Sequence, residues 1–245
     1  MKLRLFNKIK NRLLGLVKSL DGSFAITRAN KFSESIYSVN LSTQNASEGS
    51  SYVSTTPIPG TGVVMLLQTA YSINNPSILI KNKGQISTDK DIILKRIKLI
   101  CTAAGNGNNV DCAMILDTGD KYSSGGTLMV SKNTSTDSPA VADTIADIRN
   151  SSVSGIGINT TTTGRLVYRS KIKSTAAVVG DEYVLLFGAE PGPESGSLSS
   201  AAASRNTNSV PPLIIAPNGN LAIHFWTAGA TVAPTYELVI EYTER

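Results

Sequence analysis

The chain has 245 residues, enough for one large all-β domain or two small ones with an ample core. Charged residues make up 17%, below the share of about a quarter usual in soluble domains, and Ser, Thr, Asn, Gly and Ala take their place. Six cations and no acid fall in residues 1–20, which leaves a formal −1 for the rest of a +5 chain; the body therefore has no electrostatic case for nucleic acid.

In residues 1–20, Phe6, Ile9, Leu13, Leu16, Val17 and Leu20 recur at helical spacing, with Arg4, Lys8 and Arg12 on the opposite side. Asp21-Gly22 follows as a helix stop. The spacing predicts an amphipathic helix whose apolar residues form a partner-binding face. Charges interrupt every apolar run, so the segment does not read as a membrane span, and it lacks the apolar stretch and cleavage site of a signal peptide. Three contacts suit it: a partner or the chain's own body, an anionic membrane, or nucleic acid.

Residues 23–61 are dominated by Ser, Thr and Asn and end in Thr56-Pro-Ile-Pro-Gly60, where two prolines favour extended backbone. The expected division is a helix and extended arm over residues 1–61 and a β-sandwich over residues 62–245. Strand patterns then follow at 63–71, 77–81, 92–103, 110–117, 127–132, 153–159, 165–173, 183–187, 213–216, 221–226 and 236–242. Turn-forming clusters separate them, among them Asn82-Lys-Gly84, Gly105-Asn-Gly-Asn-Asn109, Ser123-Ser-Gly-Gly126, Thr160-Thr-Thr-Thr-Gly164 and Gly180-Asp181. Residues 141–148 are the one body segment that reads as a short helix. Residues 190–208 hold one large apolar residue, Leu198, and read as a long surface loop or a contact for another subunit.

The last thirty-five residues carry the clearest pattern. Leu221, Ile223 and Phe225 share one strand face, and Tyr236, Leu238, Ile240 and Tyr242 share another, with Glu237, Val239 and Glu241 turned outward. Pro217-Asn218-Gly219 supplies turn chemistry before the first. Many short strands with two long excursions predict a jelly-roll-like antiparallel β-sandwich. No period of twenty to fifty residues repeats, which argues against a solenoid or propeller.

Catalytic chemistry finds little to stand on. His224, the only histidine, lies inside an alternating strand with no partner for a triad or a metal site, so it reads as structural and no cofactor or metal is expected. Met114-Ile-Leu-Asp117-Thr-Gly119 resembles the Asp-Thr-Gly signature of aspartic proteases, but Asp120 follows and no second copy exists; a strand ending in a turn explains it equally well. Gly105–Asn109 lacks the Lys-Ser/Thr of a phosphate loop and reads as a hairpin turn. That hairpin would place Cys101 opposite Cys112, as a disulfide or as two buried thiols. Five Asn-x-Ser/Thr sequons, at Asn40, Asn45, Asn133, Asn150 and Asn159, are expected in a chain this rich in those residues and need not imply secretion.

A basic amphipathic N-terminus, a polar arm and a Ser/Thr/Asn-rich β body resemble structural proteins of tailed-bacteriophage virions. The closing Leu221-Ala-Ile-His-Phe-Trp226 and Pro234-Thr-Tyr-Glu-Leu-Val-Ile-Glu-Tyr242 are similar to the C-terminal strands of their jelly-roll head-decoration proteins. The resemblance implies a non-enzymatic capsid decoration or cement protein, assembled in the host cytoplasm and located in the virion. Its partners would be the major capsid protein or another virion protein, and copies of itself in a homo-oligomer such as a trimer. The alternative is a receptor- or glycan-binding module of a tail fibre or spike.

Overall fold

The computed structural model describes residues 16–18, 24–26, 50–55, 63–64, 71–85, 90–135, 144–151, 155–159, 164–188 and 205–245. All of its regular elements are strands: β1 (Leu16–Lys18), β2 (Phe24–Ile26), β3 (Ser51–Thr55), β4 (Val63–Val64), β5 (Ile78–Asn82) and β6 (Ile92–Ala103). Then come β7 (Val110–Asp117), β8 (Tyr122–Gly125), β9 (Thr127–Met129), β10 (Ser131–Asn133), β11 (Ala146–Asn150) and β12 (Ile156–Ile158). The last six are β13 (Arg165–Lys173), β14 (Glu182–Phe187), β15 (Arg205–Val210), β16 (Ile214–Ile215), β17 (Asn220–Trp226) and β18 (Thr235–Glu244).

Two large sheets share one core in a sandwich-like arrangement. The first runs β10-β3-β18-β6-β14-β15, with β16 added on β6 and β4 on β18; the second runs β13-β7-β17-β5-β11-β9. Alternation decides which side chains enter the space between them. On β18, Tyr236, Leu238, Ile240 and Tyr242 are fully buried, while Glu237, Val239 and Glu241 point out of the sandwich half-buried. From the other sheet, Leu221, Ile223 and Phe225 of β17 and Cys112 and Met114 of β7 join the same apolar cluster. The outward residues of β17 are buried as well, because the β8–β12 ribbon places Ile156 against Leu79 and Ala222. One side is closed by the chain itself, which passes from β9 in the second sheet to β10 in the first.

Several expectations are corrected. Residues 16–18, placed in the N-terminal helix by spacing, form β1, paired antiparallel with β2; the rest of residues 1–22 lies outside the described residues. Ser51–Thr55, assigned to the arm, is an inner strand between β10 and β18, with Tyr52 and Ser54 buried, so the boundary at 61 does not separate arm from sheet. Of the short helix expected over residues 141–148, residues 146–148 belong instead to β11; its alternate burial of Ala146, Ile148 and Asn150 fits the pairing with β5 and β9. Residues 205–208, read as loop, belong to β15, which runs parallel to β14 and so departs from an all-antiparallel sheet.

The expected hairpin between β6 and β7 does not form, because the two strands lie in different sheets. Asn106 explains the crossing: its Oδ1 accepts hydrogen bonds from Thr231 N (2.8 Å) and Val232 N (2.9 Å), tying this loop to the β17–β18 connection. Gly105 admits no side chain there, since a Cβ would stand 2.6 Å from the Val232 carbonyl oxygen. Cys101 therefore faces Tyr236 and Cys112 faces Phe225, as separate buried thiols. The turn at Pro217–Gly219 is as expected, with Asn218 at φ 64° and Gly219 N bonded to Ala216 O at 2.9 Å.

Candidate interaction surfaces

The outer face of the first sheet is built from residues directly opposite one another on neighbouring strands, which share a face and touch. Three rows cross it. Glu237, Ile100, Glu182 and Arg205 make the first; Thr55, Val239, Lys98, Val184 and Thr207 the second; Val53, Glu241, Arg96, Leu186 and Ser209 the third. Ion pairs cross the face: Lys98 with Glu182 (2.8 Å), Arg205 with Glu182 (2.5 Å), and Arg96 with Glu241. Hydrogen bonding to Lys98 is the largest influence on Glu182 and holds its carboxyl below the usual range. Among the described strands, those of the two smaller sheets, β1 with β2 and β8 with β12, do not pair with this sheet.

The second sheet is covered differently. Residues 71–76 reach its outer face, where Tyr71 meets His224 edge-on (5.0 Å between centroids) and Trp226 at a tilt (5.5 Å). The Arg169 guanidinium lies 4.4 Å above the Trp226 ring and is paired with Asp111 at 3.0 Å, and Asp111 in turn accepts from Asn109. Tyr71 is 40% exposed, so an aromatic and cationic patch reaches solvent beside a buried core. His224 sits beneath it, buried, with neither ring nitrogen in a hydrogen bond of ordinary geometry. Burial pushes its pKa down to about 4, against a smaller opposing pull from the backbone of Asn75 and Ser72. A neutral imidazole packed under an aromatic ring is a filler of the fold.

Two further carboxylates, Asp181 and Asp117, hold loops in place. Asp181 is fully buried and its Oδ2 accepts from Lys173 Nζ, from Val178 N at 2.6 Å and from Tyr183 Oη at 3.2 Å. Asp117 accepts from Gly119 N at 3.3 Å and lies 3.8 Å from Lys121 Nζ, which is a turn closing β7. Among the described residues no group of three or more His, Cys, Asp or Glu is placed to hold a metal.

Of the residues expected to bind a partner, Leu16 and Val17 lie in β1, opposite Ile26 and Ala25. Phe6, Ile9, Leu13 and Leu20 lie outside the described residues. Sequence reasoning missed the aromatic patch, since Tyr71 and Arg169 are brought to Trp226 only by the fold. It did see the outward turn of Glu237, Val239 and Glu241, but not the strands beside them. Among known proteins no family model matches the chain, and neither a curated protein nor a solved structure is similar to it.

Proposed function

We propose that the protein is a non-enzymatic structural component of a virion, a decoration or cement protein with a jelly-roll body that binds neighbouring shell subunits. The pairing of strands supports the jelly-roll reading and carries the proposal. Take β3, β5, β6, β7, β13, β14, β17 and β18 as strands one to eight. One pairs with eight, two with seven, three with six and four with five. That is the pairing of a long hairpin rolled into a sandwich, an architecture shared by viral capsid and lectin domains.

Composition and surface agree with an assembly role. A chain with few charges, whose first sheet has most of the ions on its half-apolar face already paired, can meet another protein surface with little bare charge to desolvate. The basic N-terminus would be the second attachment, on the major capsid protein or another virion protein.

A second reading, glycan or receptor binding at a tail, is favoured by the Tyr71–Trp226–Arg169 patch, where a ring and a cation stand beside solvent. Two assays separate the readings. Purified protein added to particles stripped of it should bind until a fixed ratio to the shell protein is reached, and should give no signal on a glycan array. Array binding abolished by Tyr71→Ala, with no uptake by particles, would replace the first reading with the second.

A further inference from the structure

We infer that the outer face of the first sheet is a self-complementary surface that pairs two copies of this chain about a two-fold axis. The inference rests on the assembly reading above and names the partner of one of its surfaces. Five strands, β3, β18, β6, β14 and β15, present the three rows. Val53, Val239, Ile100, Val184 and Leu186 are half-buried on it and alternate with the paired charges. The first row is asymmetric. Glu237 stands at one end with no hydrogen bond or ion pair among the described residues. Arg205, paired with Glu182, stands at the other end with its side chain 67% exposed.

Strands in a sheet lie about 4.8 Å apart, so Glu237 and Arg205 are about 14 Å from each other across β6 and β14. An axis lying between two stacked copies, along the strands and midway between β6 and β14, exchanges the ends of the row. It sets Glu237 over Arg205 of the partner subunit, twice by symmetry. The same operation lays β6 over β14, so the Lys98 stem meets Val184 of the partner subunit. Aligned packing of two sheet faces tolerates this arrangement. Each paired ion keeps its own intramolecular partner when water leaves.

Size sets the strength. Under this axis four strands of each copy overlap, β18, β6, β14 and β15, about 14 Å across and about 20 Å along them, roughly 300 Å² in plan. A standard interface takes about 800 Å² from each partner. The expected dimer is therefore reversible and concentration-dependent.

Sedimentation equilibrium on the full chain, from low micromolar to high micromolar concentration, tests the surface. The wild type should fit a monomer–dimer equilibrium. Glu237→Arg and Arg205→Glu should each weaken dimerisation at least tenfold, and the double variant should recover to within about threefold of wild type. Val239→Asp, which sets an unpaired charge against Thr207 of the partner subunit, should leave a monomer. Circular dichroism of each variant should show the wild-type β signal. A wild type monomeric throughout, a trimer, or a dimer indifferent to Val239→Asp would overturn the inference. Particle binding is scored separately: a dimer that never binds particles sinks the virion reading alone, and a particle-bound monomer sinks this one alone.

Discussion

Truncating Ile240 and truncating its neighbour Glu241 should have opposite weights, and the difference can be worked out from β18. Ile240 is fully buried, paired with Ile97 on one side and Ser54 on the other, both of them also fully buried. Ile240→Ala removes apolar contact and leaves a cavity, which costs about 2–5 kcal/mol. With strands hydrogen-bonded on both sides the site has little freedom to collapse, which places the cost near about 4 kcal/mol. For a domain of this size that lowers Tm by about 8–16 °C. Glu241 faces outward, paired with Arg96, the two side chains 37% and 41% exposed. An exposed pair of this kind contributes about 0–1 kcal/mol, so Glu241→Ala should move Tm by no more than about 4 °C. Urea unfolding followed by circular dichroism gives both numbers. Equal losses, or a larger loss for Glu241, would mean that the strand sits one residue out of register, because such a slip turns every side chain to the other face.

Four further outcomes follow from the same structure. His224 stays neutral in the folded chain down to about pH 4, whereas unfolded it protonates near 6.5. Below that value the unfolded state takes up the extra proton, so stability should fall by about 3 kcal/mol between pH 6.5 and 4, and His224→Leu should flatten that part of the profile. Glu182, whose carboxyl is held low by Lys98, loses its share in the same direction only at more acid pH. Asp181→Asn strips the charge from a fully buried carboxylate and leaves Lys173 without its counter-ion; a loss of about 3–5 kcal/mol in urea unfolding is expected, and a loss under about 1 kcal/mol would contradict the buried pair. Burial raises the thiol of Cys101 to about 11 and that of Cys112 further, so neither should react with iodoacetamide at pH 8 until the chain unfolds; reaction in the native protein would show the core open there. Removing residues 1–22 should abolish particle binding and leave the far-ultraviolet spectrum of the body intact, since β1 pairs only with β2 among the described strands; retained binding would remove the N-terminus from the docking account.

What could be read from the sequence was local. The bounds of β6, β7 and β13 and the inward faces of β17 and β18 follow from period-two alternation with β-branched and aromatic residues. β3 and β15 escaped because Ser-Tyr-Val-Ser-Thr and Arg-Asn-Thr-Asn-Ser-Val carry almost no apolar signal; their strand state comes from neighbours that supply hydrogen bonds. β11 was obscured by Val141, Ile145 and Ile148, whose four- and three-residue spacing suits a helix, whereas the alternation that prevails buries Ala146, Ile148 and Asn150. The partner of a strand is invisible to periodicity. Cys101 and Cys112 show this: a glycine-rich loop between two strands reads as a hairpin, yet this one is stitched through Asn106 to the opposite connection and carries the chain into the other sheet. The interaction surfaces share that difficulty, since their rows join residues more than a hundred positions apart, as Glu237 and Ile100 do.

Quantitative mass spectrometry of purified particles from an infected host tests the central reading most directly. Peptides from both ends of the chain, such as those containing Lys18 and Tyr242, are counted against a shell-protein standard. A decoration role predicts both ends present in one fixed ratio to the shell protein, with many copies per particle. A handful of copies would move the protein to the tail, and its absence from particles that otherwise contain every structural protein would contradict the virion reading outright.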